Sequence, residues 1–359
     1  MAGVRELESS VHRLLHRGTA IPAHPLALNA DLKLDERRQR ALTRYYLGSG
    51  AGGIAVAVHT TQFEIRDPSV GLLETVLRLA ADEVEAARLN RPLIKVAGIC
   101  GPTDQALKEA ELAAKYNYDL GLVSTGGLQD YSESELLRRA EAIADIIPVF
   151  GFYLQPAVGG RPLSYSFWRE LAEIPGVQGI KMAPFNRYQT LDVVRAVMSS
   201  SRKDEIALYT GNDDNIVADL LTTFRFTEDG TVYEKKIVGG LLGHWAVWTK
   251  TAVELLEEII QLRESGADIP AELLTRGAQI TDVNAALFDP SHGFHGCIPG
   301  IHEVLRRQGL LEGRWCLNPE EELSPGQMEE IDRVYRQYPD LNDDAFVKGH
   351  LKEWLGDEI

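Results

Sequence analysis

The sequence predicts an α/β protein, a (β/α)8 TIM barrel followed by a C-terminal helical extension. Short apolar runs alternate with longer amphipathic segments along most of the 359-residue chain. This alternation is typical of strand–helix units around a parallel sheet. Eight such strands, each followed by a helix, indicate a closed barrel rather than an open sheet.

The predicted strands are eight apolar runs in order along the chain. They are "TAIPAHPLAL" (19–28), "GIAVAV" (53–58), "PLIKVAGI" (92–99), "DLGLVS" (119–124), "PVFGFYLQ" (148–155), "VQGIKMAP" (177–184), "EIALYTG" (205–211) and "KKIVGGLL" (235–242). Several helical patterns between them begin at a Ser, Thr or Asp positioned to cap a helix. These patterns cover 35–50, 71–90, 103–117, 132–146, 164–174 and 189–200.

One unit departs from this alternation. After a short helix at 215–221, two alternating runs flank the dipeptide Asp229-Gly230, which is a strong signal for a β-hairpin. We therefore expect a barrel over residues 18–265, with a hairpin at 222–236 inserted before strand eight. Residues 266–359 are predicted to form a helical C-terminal region.

Composition excludes several classes of partner. The chain has 53 acidic and 37 basic residues and a net charge of −16, which repels nucleic acids and anionic membranes. It contains no secretory signal pattern and no apolar stretch of the ~18 residues that a membrane span needs. Its three cysteines are widely spaced and fit a reducing compartment. We expect a cytoplasmic protein without nucleic-acid or membrane partners.

Candidate site residues follow the predicted strands. Thr60 and Thr61 follow strand two, Tyr153 ends strand five, Lys181 lies in strand six, and "TGNDD" (210–214) follows strand seven. In a (β/α)8 barrel the carboxyl ends of the strands meet at one face and build the active site. We therefore expect these groups to converge on one pocket.

Lys181 is the residue that needs a chemical explanation. A lysine in the apolar run "VQGIKMAP" loses hydration unless it is paired or releases its proton. A desolvated amine is a nucleophile toward carbonyl groups and forms a Schiff base. Tyr153 would then transfer protons, and the two threonines would bind a carboxylate.

Structural roles are the alternative for each of these residues. Lys181 could be ion-paired, and Lys95 in "PLIKVAGI" is an internal control because it lies near the start of its strand, where charge serves stability. Tyr153 alone would more often be a core aromatic residue. Thr60 and Thr61 alone would form a turn or a cap.

Two histidines have a spacing that could hold a metal. His292 and His295 lie in "DPSHGFHGC", but no cysteine or carboxylate pattern accompanies them. In the same way, Asp213 or Asp214 alone would most often cap the following helix. We therefore predict no metal site.

Taken together, the motifs resemble those of the dihydrodipicolinate synthase/N-acetylneuraminate lyase family, over roughly residues 18–330. They are "HTTQ" after strand two, "GFYLQP" ending strand five, "GIKMAP", "TGNDD" and "GGLLG", with Lys181 28 residues after Tyr153. The resemblance implies a cofactor-free class I lyase or aldolase in which Lys181 forms a Schiff base with pyruvate or another 2-oxo acid. It also implies that Tyr153 passes protons and that the chain forms a homo-oligomer, a tetramer or dimer.

The resemblance also implies binding roles. Thr60 and Thr61 would bind the carboxylate of the 2-oxo acid, and Leu242 would form the wall beside the Schiff base. Gly211 and Asp213 would meet the aldehyde or the tail of a sugar acid.

Departures from the family pattern concern the second substrate. His59 replaces a glycine before the threonines, and the tyrosine-rich motif after strand four is replaced by "STGGLQDYS". Arg161, in a longer loop after strand five, is a further candidate for binding a carboxylate. These differences argue against 4-hydroxy-tetrahydrodipicolinate synthase and favour an aldolase, a lyase or a sugar-acid dehydratase. The alternative is an inactive relative that binds a keto acid or sugar acid as a sensor.

Overall fold

The computed structural model describes residues 5–228 and 230–356. Asp229 of the predicted turn lies outside the described residues. The described part contains all eight predicted barrel strands and both strands of the hairpin. The strands are β1 Ala20–Pro22, β2 Gly53–Val56, β3 Ile94–Ile99, β4 Leu120–Val123, β5 Val149–Tyr153, β6 Val177–Met182, β7 Ala207–Thr210, β8 Thr223–Glu228 and β9 Thr231–Leu242.

Helices follow the barrel strands, and three of them begin at the predicted capping residues Asp35, Ser132 and Ser164. Asp35 accepts a hydrogen bond from the Arg38 amide, and Ser132 forms a capping box with Glu135. The helices are α1 Ser9–Arg17, α2 Glu36–Gly48, α3 Leu73–Ala87, α4 Thr103–Lys115, α5 Glu133–Ala144, α6 Tyr165–Glu173, α7 Arg187–Met198, α8 Ile216–Leu221, α9 Thr249–Ser265, α10 Ala271–Phe288, α11 Cys297–Arg307, α12 Gln327–Gln337 and α13 Asp344–Leu355.

The strands form a (β/α)8 barrel, as predicted. Their order is β1-β9-β7-β6-β5-β4-β3-β2, and every neighbouring pair is parallel. Between β1 and β2 the sheet closes through a parallel bridge of Ala23 with Ala55, where the His24 amide donates to the Ala55 carbonyl at 2.8 Å. Closure leaves the carboxyl ends of all eight strands around one opening.

The hairpin is continuous with the last barrel strand. β8 pairs with β9 in antiparallel fashion from Thr223–Lys236 to Glu228–Thr231. The second half of β9 then turns parallel to β7 and β1 and supplies strand eight of the barrel. The hairpin is therefore an extension of strand eight at the amino end of the barrel.

The first and last helices of the chain pack on different parts of the barrel. Val11 and Leu15 of α1 pack into the apolar cluster inside the barrel, and the Tyr209 hydroxyl donates to the Leu15 carbonyl at 2.9 Å. At the other end of the chain, α13 packs on α2 with Trp354 against Tyr45. No helix in residues 5–228 or 230–356 is long and apolar enough to cross a membrane.

Candidate active site

A small cavity lies at the carboxyl ends of the barrel strands. Its volume is about 80 Å³, well below the ~300 Å³ of the smallest sites that enclose drug-sized ligands. A larger groove of about 540 Å³ beside α9 and α10 contains none of the predicted site residues. The side chains with polar groups that line the small cavity are His59, Thr60, Gln155, Lys181 and Asp213.

Lys181 lies in this cavity as an unpaired amine. Its side chain is 8% exposed, and among the described residues it forms no hydrogen bond or ion pair. Its Nζ lies 4.4 Å from the centre of the Phe152 ring. Burial lowers the pKa of Lys181 to about 8, although Asp213 acts in the opposite direction. About a tenth of the amine is therefore unprotonated at pH 7, far more than for a lysine with its ordinary pKa.

Tyr153 is not in the cavity, which corrects the sequence-based position. The offset between paired residues of β5 and β6 is 28 at Val149–Val177 but 29 from Phe150–Gly179 onward. A constant offset of 28 would pair Tyr153 with Lys181, whereas the irregularity pairs Tyr153 with Met182. Because neighbours in register share a face and successive residues alternate, Tyr153 points away from Lys181.

The surroundings of Tyr153 are those of a core aromatic residue. Its ring packs on Trp168 of α6 with 4.9 Å between ring centres, and its hydroxyl accepts a hydrogen bond from the Leu163 amide at 3.4 Å. Phe152, the preceding residue, takes the position beside Lys181. The structure therefore does not bring together the predicted lysine–tyrosine pair.

The turn after β2 supplies one free hydroxyl and one imidazole. Thr60 lines the cavity, and its buried Oγ1 has no hydrogen-bond partner among the described residues. Thr61 is outside the cavity, because its Oγ1 donates to the His24 carbonyl at 2.6 Å and accepts from the Val58 amide. His59 faces the cavity, and burial together with Lys181 lowers its pKa to about 4.

The loop after β7 brings Gly211 and Asp213 to Lys181. A Cβ on Gly211 would lie 2.4 Å from Lys181 Cε, so only glycine leaves room for the lysine stem. Asp213 is buried in the cavity, and its Oδ1 accepts from the His244 amide at 3.0 Å. Burial raises the pKa of Asp213 to about 7, while the His244 amide and Lys181 oppose the rise.

A buried carboxylate that sequence reasoning missed holds this loop in place. Asp219 of α8 accepts hydrogen bonds from Thr210 Oγ1 at 2.7 Å, Asn212 Nδ2 at 3.0 Å and Asn215 Nδ2 at 3.0 Å, and it pairs with Arg187. Three of these partners lie within or next to "TGNDD". Asp219 therefore positions the backbone that carries Gly211 and Asp213, a role for which its sequence gave no signal.

Two further predicted residues lie outside the cavity. Arg161 donates from Nη1 to the carbonyls of Gln129 at 3.2 Å and Tyr131 at 2.6 Å, so it connects the loops after β5 and β4. Leu242 belongs to the core between the strands and the helices, and Gly243 lines the cavity instead. The expected roles of Arg161 in binding a carboxylate and of Leu242 as a wall are not supported by these positions.

Aromatic and aliphatic side chains form the roof of the cavity. Phe288, Phe294, Cys297 and Ile301 come from the C-terminal region, and Phe185 from the loop after β6. The rings of Phe185 and Phe294 meet edge to face with 5.6 Å between their centres. The sequence predicts only packing helices in the C-terminal region, so its contribution to the cavity is a finding of the structure.

The candidate metal site is absent from the described residues. His292 Nδ1 lies 2.6 Å from Asp289 Oδ1 on the same turn, and no group of three or more metal-ligating side chains occurs in the described ranges. His292 and Asp289 therefore form a local pair that holds the α10–α11 connection.

Comparison with known proteins adds support at the level of the fold. No protein-family model and no curated protein matches the chain. Solved structures match: N-acetylneuraminate lyase from Fusobacterium nucleatum has 17% identity and a TM-score of 0.68, and the match covers 90% of this chain and 99% of that one. A dihydrodipicolinate synthase from Bacteroides thetaiotaomicron has 15% identity and a TM-score of 0.69, with coverage of 89% and 98%.

A third structure was determined with a ligand. YagE from E. coli K12, a prophage protein of the dihydrodipicolinic acid synthase family solved in complex with pyruvate, has 19% identity and a TM-score of 0.71, with coverage of 89% and 98%. These proteins are of the family that the sequence motifs resemble, so the resemblance is confirmed in the fold. At such identities the likeness extends to the fold alone.

Proposed function

We propose that this chain is a Schiff-base lyase or aldolase that acts on pyruvate or another small 2-oxo acid. The observation that carries the proposal is the unpaired amine of Lys181 inside the barrel. A buried lysine without an ion-pair partner is costly for stability, and its neutral form is the nucleophile that imine chemistry requires. The named activities of the structural neighbours, lyases and synthases, agree with this chemistry.

Thr60 is proposed to bind the carboxylate of the 2-oxo acid. Its hydroxyl lines the same cavity as Lys181 and has no partner among the described residues, whereas the hydroxyl of Thr61 is bonded to the backbone. Gly211 keeps the space in which the lysine stem lies. The cavity volume of about 80 Å³ favours a small 2-oxo acid over a long sugar acid.

A sensor that binds a keto acid without turnover is the second candidate. The position of Tyr153 on the outer face of β5 favours it, because the expected proton carrier is then missing from the cavity. A sensor would form no carbon–carbon bond and would release no 2-oxo acid.

Cytoplasmic location and homo-oligomeric assembly stay predictions from the sequence.

Borohydride reduction in the presence of pyruvate tests the proposal. We expect a reduced pyruvyl adduct on one peptide, the one that contains Lys181, in intact-mass and peptide-mapping experiments. Lys181→Ala should remove the adduct. Lys95→Ala, which removes a lysine from the outer face of β3, is the matched control and should leave the yield unchanged.

Two results would separate the candidates. The absence of an adduct with pyruvate and with a panel of other 2-oxo acids would contradict the Schiff-base proposal. An adduct without release or incorporation of a 2-oxo acid, measured on aldehydes and sugar acids, would favour the sensor.

A further inference from the structure

We propose that Asp213 is the proton-transferring catalytic residue of this site, in the place that the sequence motif assigns to Tyr153. The inference deepens the proposed function and rests on it. Imine formation, enamine formation and carbon–carbon bond chemistry all need an acid and base beside the lysine. The outward direction of Tyr153 leaves that role to a group inside the cavity.

Asp213 is the cavity group with the right acid–base properties. Burial and Lys181 lower the pKa of His59 to about 4, so its imidazole is a poor acid at neutral pH. Burial raises the pKa of the Cys297 thiol, which therefore stays protonated. Burial raises the pKa of Asp213 to about 7, so that both of its protonation states occur at neutral pH.

The geometry leaves Asp213 available to a substrate. Its Oδ1 is held by the His244 amide, and its backbone carbonyl accepts from Asn284 Nδ2 at 2.7 Å. No other described residue donates a hydrogen bond to Oδ2. Asp213 and Lys181 line the same cavity without forming an ion pair, so a reacting carbonyl can lie between amine and carboxyl.

The carboxyl group of Asp213 can carry every proton transfer of the reaction sequence. The neutral amine of Lys181 adds to the carbonyl carbon, and the carbonyl oxygen takes the proton of Asp213. The carboxylate then removes a proton from nitrogen and returns it to the hydroxyl, which leaves as water while the protonated imine forms. The carboxylate next removes a proton from the adjacent carbon, which gives the enamine and restores the carboxylic acid.

The pH dependence follows from the groups that face Asp213. They are Lys181 of β6, His59 after β2, Cys297 of α11, His244 after β9 and Asp214 of its own loop. Of these, Lys181 has a pKa of about 8. The reactive form holds one proton on the Asp213–Lys181 pair, so the rate should be greatest between about pH 7 and 8.

The test compares Asp213→Asn with Asp145→Asn. The amide oxygen of asparagine still accepts from the His244 amide, so the loop should keep its position. Asp145 is an exposed aspartate at the end of α5, outside the cavity. We expect Asp213→Asn to slow deuterium incorporation into the methyl group of pyruvate by ~100-fold or more. The rate at which Asp213→Asn is trapped by borohydride should also lose the fall above pH 8. Asp145→Asn should behave like the native protein.

The outcomes are distinguishable. Unchanged exchange and an unchanged pH profile in Asp213→Asn, with the adduct still on Lys181, would overturn the role of Asp213 and leave the proposed function standing. Absence of any adduct in the native protein would overturn the proposed function itself. Asp213→Ser, whose hydroxyl can also accept from the His244 amide, is the second variant if asparagine disturbs folding.

The apolar side chains that form the roof of the cavity indicate the polarity of the substrate. We infer that the group beyond the reacting carbonyl is apolar, a short alkyl chain without hydroxyl groups. Phe185, Phe288, Phe294 and Ile301 offer no hydrogen bonds to such a group. Each hydroxyl buried against them without a partner should weaken binding by roughly 5-fold or more. This inference also depends on the proposed function.

Trapping of two six-carbon 2-oxo acids tests the roof. We expect 2-oxohexanoate to reach half-maximal adduct formation at a concentration at least ~10-fold lower than its 4,5,6-trihydroxylated counterpart. Phe294→Ser should reduce this ratio, and the change in ratio between proteins cancels any difference in ring closure of the free acids. Phe346→Ser in α13, remote from the cavity, is the control.

Preference for the trihydroxylated acid in the native protein, or an unchanged ratio in Phe294→Ser, would overturn the apolar assignment. Both results require adduct formation on Lys181. They are therefore separate from a failure of the Schiff-base proposal.

Discussion

Lys95 and Lys181 lie in similar apolar strands, but their surroundings differ. Lys95 of β3 points outward, where its Nζ donates to the Tyr116 carbonyl at 3.2 Å and lies 5.6 Å from the centre of the Tyr118 ring. Lys181 of β6 points into the barrel and has no hydrogen-bond or ion-pair partner among the described residues. Burial lowers the pKa of both lysines, and a carboxylate opposes the shift in each case.

The comparison shows that apolar sequence context does not by itself identify a reactive lysine. The two lysines differ in the partners of their amines. Lys95 uses its ammonium group for a hydrogen bond and for contact with an aromatic ring, and it stays partly exposed. Lys181 has an aromatic ring beside its Nζ and, among the described residues, no hydrogen-bond or ion-pair partner. A fold that keeps such a group against its desolvation cost indicates a functional reason for the amine.

The largest expected effect is on stability. Replacement of Lys181 by Met removes a desolvated charge whose pKa is about 8 in the folded protein and 10.5 ordinarily. At pH 7 the variant should be more stable by up to about 3 kcal/mol, at 1.36 kcal/mol per pKa unit, in denaturant unfolding. Lys95→Met should be neutral or destabilising, because it loses a hydrogen bond of about 1 kcal/mol.

The desolvated Lys181 also determines how the free energy of unfolding changes with pH. Between about pH 8 and 10.5 the unfolded chain holds a proton on Lys181 that the folded protein has released, so native stability rises with pH in that window. Below pH 8 the penalty is present in full. Lys181→Met should lack this rise, and a destabilised Lys181→Met protein would show that the amine has a stabilising partner.

A smaller loss is expected from crowding of the lysine stem. Gly211→Ala places a methyl group 2.4 Å from Lys181 Cε and 2.9 Å from Ala183 Cβ, so the amine must move. A displacement of about 1 Å can cost ~100-fold in rate, and we expect a loss of that size in the rate of borohydride trapping with pyruvate.

Gly349→Ala in α13 is the matched control for this change. Apart from the chain neighbours and the backbone of the same helix, no described atom lies within 4 Å of the added methyl group. Alanine is also the better helix former by about 1 kcal/mol. The control should keep the trapping rate and gain stability. An unchanged trapping rate in Gly211→Ala would mean that the amine does not depend on this space.

Much of this architecture could be predicted from the sequence, and the errors have local causes. Periodicity located all eight barrel strands, and their carboxyl ends located Lys181, Thr60 and Asp213. The direction of Tyr153 could not be predicted, because one register irregularity between β5 and β6 changes which residues are paired. Phe294 could not be assigned to the roof, because its contact with Phe185 joins segments more than 100 residues apart.

The smallest expected effect is at Tyr153, and it tests the same register irregularity. Tyr153→Phe removes a hydroxyl whose partner is the Leu163 amide at 3.4 Å, so the free energy of unfolding should fall by about 1 kcal/mol. The rates of trapping and of deuterium exchange should stay within about threefold of the native values, a change of less than 1 kcal/mol. Tyr118→Phe, which removes another outward hydroxyl that bonds to the Leu77 carbonyl, is the control. A ~100-fold loss in Tyr153→Phe alone would return proton transfer to the tyrosine and remove the need for Asp213.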